Sequence, residues 1–190
     1  KDHPYVSRGG VKLAAGLAHF KINPLGWICL DVGASTGGFT DVLLRNGAKK
    51  VYAVDVGHNQ LAYSLREHPQ VVVMEKTNAR ILDTTLIPEP PDIVVCDASF
   101  ISLKTVLPAA LALAKSGAVL IALIKPQFEV GKDRVGKGGI VRDSALHIEV
   151  CADIQNWLAS DMKWNVLGQI DSPITGAEGN KEFLICATKA

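Results

Sequence analysis

The chain lacks any apolar run of the roughly 18 residues that a membrane-spanning helix needs. Its N-terminus also lacks the charged, apolar and small-residue layout of a secretory signal. A net charge of +1 gives no global attraction to nucleic acid, so any such partner must meet a local basic patch. Cysteine is scarce: Cys29, Cys96, Cys151 and Cys186 lie far apart, mostly in apolar runs. That spacing matches no metal site and points to buried free thiols in a reducing, cytoplasmic setting. His3, His19, His58, His68 and His147 form no pair at ligand spacing, so no metal is expected. Internal repeats and low-complexity tracts are absent too. What is present is 48% hydrophobic residues in a 190-residue chain, enough for one sizeable core and short for two. A single domain over residues 1–190 is therefore expected.

Apolar, β-branched runs alternate with helical patterns. Strands are predicted at 27–31, 51–55, 71–75, 92–96, 118–124, 164–170 and 182–188, the first five nearly continuous in apolar residues, as parallel strands covered on both faces must be. Helices are predicted at about 10–20, 38–46, 59–67, 101–115 and 143–160, with Leu13, Leu17 and Phe20 sharing a face of the first. This alternation predicts a doubly wound α/β sheet. Residues 171–181 read as a loop, so the last two strands should close the fold as an antiparallel hairpin. The segment 126–142, rich in Gly and Lys/Arg, is the longest irregular stretch, and loops of that length are often functional.

Residues 30–41 carry the sharpest local signal. An apolar strand ends at Asp31, passes through Gly33, Ala34, Ser35, Thr36, Gly37 and Gly38, and gives way to a helix beginning near Phe39. Strand, glycine turn and helix make the opening unit of a nucleotide-binding sheet, where glycine lets a ligand approach the backbone. The second strand ends at Asp55, suited to the ribose hydroxyls of an adenosine cofactor or simply to a turn before Gly57. The dinucleotide spacing Gly-x-Gly-x-x-Gly is absent. Asp31 sits poorly with a pyrophosphate and well with the cationic amino acid end of S-adenosylmethionine, directly or by orienting the loop. S-adenosylmethionine is therefore favoured over NAD. Asn78 and Ala79, after the third strand, could meet an adenine edge or merely form a turn.

Asp97 ends the fourth strand and Lys125 the fifth, the edge where open α/β sheets place their chemistry. Either they form a structural ion pair or they act on a substrate. The loop Gly131–Gly139 nearly satisfies a P-loop, but Gly138 replaces the hydroxyl residue that holds magnesium. Lys132, Arg134, Lys137 and Arg142 suit contact with a phosphate backbone, or else a solvated surface. Lys1, Arg8 and Lys12 add basic charge at the N-terminus.

Ser7-Arg8-Gly9-Gly10-Val11-Lys12-Leu13, Asp31 to Thr40, Asp97-Ala-Ser-Phe-Ile-Ser102, Lys125-Pro-Gln-Phe-Glu129, Gly-Gly-Ile-Val-Arg142 and Gly179-Asn-Lys-Glu182-Phe183 together resemble the hemolysin A-like (TlyA) family. That family belongs with the FtsJ-type ribose 2′-O-methyltransferases. The resemblance runs essentially end to end. It implies a Rossmann-like class I S-adenosylmethionine-dependent methyltransferase fold, with a mostly parallel seven-stranded sheet between two helical layers. It further implies methyl transfer to a ribose 2′-hydroxyl, with cytidine as the expected nucleotide, in ribosomal RNA or ribosomal subunits. The family's Lys-Asp-Lys-Glu tetrad falls on Lys12, Asp97, Lys125 and Glu182, with Glu178 a rival for the last place. Lys125 would be the base or the stabiliser of the developing oxide, with Lys12 as neighbouring cation. Phe100 or Phe128 would stack on a flipped-out base, or else belong to the core. FtsJ relatives often have Pro where Thr36 stands. Relatives also carry a small RNA-binding domain before the catalytic one, and this chain is expected to lack it. The competing readings are a non-catalytic RNA- or cofactor-binding module, a membrane-lytic hemolysin and an NAD-dependent dehydrogenase.

Overall fold

The computed structural model describes residues 2–190, so Lys1 lies outside the described residues. Seven strands form one sheet: β1 (Ile28–Val32), β2 (Lys50–Val54), β3 (Val71–Met74), β4 (Ile93–Cys96), β5 (Val119–Ile124), β6 (Trp164–Asp171) and β7 (Phe183–Lys189). Their order is β3-β2-β1-β4-β5-β7-β6. The first five pair in parallel, while β7 runs antiparallel to both β5 and β6. The predicted doubly wound sheet and its closing hairpin are thus both present.

The apolar runs form central strands because both faces are covered: β1, β4 and β5 are buried along their whole length. Successive residues face opposite layers. On one side Cys29, Val95 and Ile121 pack against α1 (Gly9–Phe20) and α2 (Gly38–Arg45) through Leu13, Leu17, Phe39 and Leu43. On the other side Leu30, Val94 and Leu120 meet Leu107 and Leu111, together with Val150 and Ile154 of a later helix.

The helices differ in detail from the sequence reading. The one expected at 59–67 shrinks to α3 (Tyr63–Arg66), because Asn59 is left-handed (φ 56°) and Ala62 is extended (ψ 141°). The one expected at 101–115 divides into α4 (Leu103–Val106) and α5 (Pro108–Leu113). Pro108 starts the second piece because it has no N–H to continue the first. The last becomes α6 (Ser144–Asn156), capped by Asp143, which accepts from the Ala145 N–H at 2.9 Å, and it runs on into a π turn over Trp157–Asp161. Residues 126–142 hold three short 3-10 turns.

Two consequences place the site. The strand order reverses between β1 and β4, the switch point where open α/β sheets bind ligands beyond their carboxyl ends. The antiparallel register sets Ile124 opposite Phe183, so Lys125, just after β5, and Glu182, just before β7, emerge at that same edge.

Candidate active site

The glycine turn is pinned from both sides. Gly33 has φ +84° and a Cβ there would stand 2.7 Å from the Asp97 carbonyl oxygen. The N–H groups of Gly33 and Ala34 both donate to the Val54 carbonyl at 2.9 Å. A Cβ on Gly38 would meet the Ser7 hydroxyl and stand 2.7 Å from the Gly10 nitrogen, at the start of α1. Only glycine lets these segments approach so closely. Asp55 ties the turn to β2: its Oδ2 accepts from the Ser35 N–H at 2.7 Å and its Oδ1 from the Gly57 N–H at 2.8 Å.

Two cavities flank this turn. The larger, of 580 Å³, is lined by Gly33, Ser35, Asp55, Asn78, Ala79 and Asp97, with an apolar wall that includes Val56, Ile101 and Val106. The smaller, of 140 Å³, is lined by Ser7, Lys12, Ala34, Thr36, Gly38 and Phe39, and shares Gly33, Ser35 and Asp97 with the first. Asn78 also serves as a turn residue, its side chain accepting from the Arg80 N–H at 3.0 Å. Gly37 and Asp31 line neither cavity.

Asp31 lies behind the turn, fully buried, and accepts the Thr40 hydroxyl at 2.7 Å through Oδ2. Its Oδ1 has no partner among the described residues. Burial foremost, opposed by the Thr40 hydrogen bond and reinforced by the nearby Asp97 and Asp55 charges, pushes its carboxyl up to about 7. Of the two roles the sequence left open, this geometry fits the orienting one: Asp31 braces the first turn of α2 under the glycine loop.

The polar groups at positions 12, 97, 125 and 182 form two ion pairs. Lys125 Nζ lies 2.5 Å from Asp97 Oδ1, and Lys12 Nζ lies 2.7 Å from Glu182 Oε1. The Lys12, Lys125 and Glu182 side chains are each at most 9% exposed, so each charge depends on its partner. Gly176 makes room for the Glu182 carboxylate, which a Cβ would hit. Glu178 is exposed in the same loop, so Glu182 and not Glu178 meets Lys12. The pairs converge because Lys12 and Asp97 line the same small cavity.

Sequence reasoning missed three contributors. Ser99 accepts from Lys125 Nζ at 3.1 Å. Glu129 takes the Ser102 hydroxyl at 2.6 Å. Asn180, 2% exposed, accepts the Val141 N–H at 3.0 Å and donates to the Gly139 carbonyl at 2.9 Å, joining the basic loop to the segment carrying Glu182. Ser99 and Glu129 lie inside the motifs already marked, but nothing in their spacing announces a partner.

Among the basic residues, Lys132, Lys137, Arg142 and Arg8 are exposed. Arg134 is engaged with Glu149 at 2.6 Å, Arg142 donates to the Lys137 carbonyl at 3.1 Å, and Arg8 to the Thr175 carbonyl at 2.9 Å. Phe100 is 89% exposed with φ 64°, its ring centroid 4.9 Å from that of Phe128. The cysteines are all free, and burial pushes the Cys96 and Cys186 thiols up to about 12, which leaves them protonated and unreactive.

The FtsJ-like methyltransferase family matches residues 5–189. The 16S/23S rRNA (cytidine-2′-O)-methyltransferase TlyA of Mycobacterium tuberculosis is 48% identical over 184 residues, covering 97% of this chain and 68% of that protein. Hemolysin A of Brachyspira hyodysenteriae is 44% identical over 181 residues, covering 95% of this chain and 75% of that protein. A solved structure of a Streptococcus thermophilus protein carrying the hemolysin name superposes with a TM-score of 0.95 at 46% identity, over 100% of this chain and 69% of that one. Among the described residues no helix is long and apolar enough to cross a membrane.

Proposed function

This chain belongs to the FtsJ-like methyltransferase family, and we propose that it transfers a methyl group from S-adenosylmethionine to the 2′-hydroxyl of a cytidine in ribosomal RNA. The observation that carries this reading is a pair of ion pairs, Lys12–Glu182 and Lys125–Asp97, each of which sends one member, Lys12 and Asp97, into the smaller cavity, which shares Asp97 and the glycine turn with the larger. The residues fit the cofactor. The turn is a cradle that a Cβ at Gly33 would disturb, Asp55 offers a carboxylate to ribose hydroxyls, and the apolar wall suits an adenine.

Bound there, S-adenosylmethionine supplies a methyl group already activated for transfer. The chain must then align an acceptor oxygen with it and manage the hydroxyl proton. Lys125 is held by Asp97 and Ser99 beside the cavity edge that Asp97 lines. Its ammonium therefore suits stabilising the negative charge that develops on the acceptor oxygen as the hydroxyl proton passes to solvent water and the methyl group leaves sulfur for that oxygen. Asp97 orients Lys125 and borders both cavities. Glu182 holds Lys12 against the smaller one. Lys132, Lys137, Arg142 and Arg8 supply phosphate contacts, and the exposed ring of Phe100 offers a surface on which a base can stack. The work belongs in the cytoplasm, with the ribosomes.

A methyl-transfer assay on 16S and 23S ribosomal RNA and on ribosomal subunits, followed by mapping of the modified nucleotide, tests the proposal. Wild-type protein should label a single ribose and Lys125→Ala should not. Full activity in Lys125→Ala overturns the assignment.

A further inference from the structure

Two loops meet beside the cleft, residues 97–102 after β4 and residues 125–130 after β5, and they touch at three places. At one end Lys125 donates to Ser99 and pairs with Asp97. Midway lie the rings of Phe100 and Phe128. At the far end Glu129 accepts the Ser102 hydroxyl through Oε1 at 2.6 Å and the Leu103 N–H through Oε2 at 2.9 Å.

The far contact is an unusual cap. Ser102 is the N-cap of α4 and accepts from the Lys104 N–H at 3.1 Å. A carboxylate from another loop then takes the cap's own hydroxyl proton and the first helical amide. Four residues are too few to hold a helix by themselves, so the start of α4 depends on this brace. Between the two anchored ends sits Phe100 at φ 64°, a conformation a bulky L-residue keeps only when its surroundings impose it. On the other loop, the Phe128 N–H donates to the Lys125 carbonyl at 2.9 Å and the Glu129 N–H to that of Pro126 at 3.0 Å. Lys125 and Glu129 therefore sit on one rigid turn.

We propose that Glu129 is a positioning residue for methyl transfer: by gripping Ser102 and Leu103 it fixes the segment carrying Asp97, Ser99 and Phe100 in register with Lys125. The inference rests on the assignment of Asp97 and Lys125 to the reaction. Glu129 is half-buried and burial raises its pKa against the pull of its two donors, a desolvation cost that these bonds offset. Without the grip, the segment is free to relax the Phe100 backbone and to draw Ser99 away from Lys125.

The full chain is compared with Glu129→Ala, Glu129→Gln and Ser102→Ala by two readouts. Chymotrypsin cleavage after Phe100 reports the order of the segment, and it should be at least about tenfold faster in Glu129→Ala. Methyl transfer to ribosomal RNA should show kcat lowered by roughly 10- to 100-fold, the cost of a small misplacement, with cofactor affinity, whose cavity the same segment lines through Asp97 and Ile101, lowered by clearly less than kcat. Glu129→Gln keeps one acceptor and should recover part of both. Cofactor affinity falling in step with kcat and melting temperature marks a merely structural role and overturns the proposal. An unchanged cleavage rate or an unchanged kcat also overturns it. Should Glu129→Ala fail to fold, Ser102→Ala carries the test, with smaller effects in the same direction. If the wild-type chain methylates no ribosomal RNA, the functional reading fails, and the cleavage rates still decide whether Glu129 holds the segment.

Discussion

The two halves of the site are built in opposite ways. The half beneath the larger cavity, the one proposed for the cofactor, is made of backbone: the turn 33–38, its N–H groups bonded to Val54 and Asp55, and glycines where a side chain would collide. Its parts are near neighbours in the chain. The half proposed to face the acceptor is made of side chains: Lys12 from α1, Asp97 and Lys125 from the ends of β4 and β5, and Glu182 from the start of β7. Lys12 and Glu182 stand 170 residues apart in sequence. A backbone site is spoiled by adding atoms, whereas a side-chain site is spoiled by removing them. Substitutions of the two kinds should therefore separate binding from turnover.

Glu182→Ala should be the most damaging change because it acts on fold and chemistry together. It strands the Lys12 ammonium in a site where both partners are nearly inaccessible, at a cost of roughly 3–5 kcal/mol or on the order of 10 °C in melting temperature. The double variant Lys12→Met/Glu182→Leu should regain stability without regaining methyl transfer. Recovery of both would show that the pair is structural only. Lys125→Ala comes next. It should lower kcat by about 10³-fold while calorimetry finds cofactor affinity unchanged within about threefold. Gly33→Ala should do the reverse, weakening cofactor binding by roughly 10²-fold, or about 2.7 kcal/mol, because the added methyl meets the Asp97 carbonyl. Equal losses of affinity and turnover in both variants would erase the distinction between the halves.

The same contrast explains what could be read before the fold was known. Asp31, the glycine turn and Asp55 lie within 25 residues of one another, in a pattern of strand, turn, helix and strand whose geometry is local. The sheet itself was legible because buried parallel strands must be apolar throughout. The pairing of Lys12 with Glu182 is not local: it depends on β7 inserting antiparallel beside β5, and no periodicity carries that information. Only the resemblance of several short motifs brought the four residues together. It put Glu182 in the last place with Glu178 as a rival, and the hairpin sets Glu182 on Lys12 and leaves Glu178 in solvent. Helix lengths failed for a local reason, where Pro108 and the left-handed Asn59 interrupted otherwise apolar patterns. Ser99, Glu129 and Asn180 were invisible because a small polar residue in a loop shows no pattern until its partner is in place.

The smallest expected effect tests the buried end of the backbone half. The Asp31 carboxyl is held near 7 in the fold against an ordinary value close to 4. Since the folded value is raised, the protonated form is the one the fold prefers. Its contribution to stability is full below about pH 4 and is lost as pH rises through about 7, by at most roughly 4 kcal/mol. Asp31→Asn keeps an oxygen for the Thr40 hydroxyl and removes the ionisation. Its melting temperature, measured relative to wild type, should therefore climb by several degrees between pH 5 and pH 8. Identical slopes for the two proteins would mean that Asp31 does not titrate in this window. Repeating the wild-type series with saturating S-adenosylmethionine sharpens the comparison. If Asp31 only braces the turn, the pH dependence persists; if its unpartnered Oδ1 receives the cofactor's ammonium, the bound carboxylate is stabilised and the dependence flattens. In that second case Asp31 would join Asp55 as a second side chain of the backbone half that binds, and the division between the halves would need redrawing at Asp31.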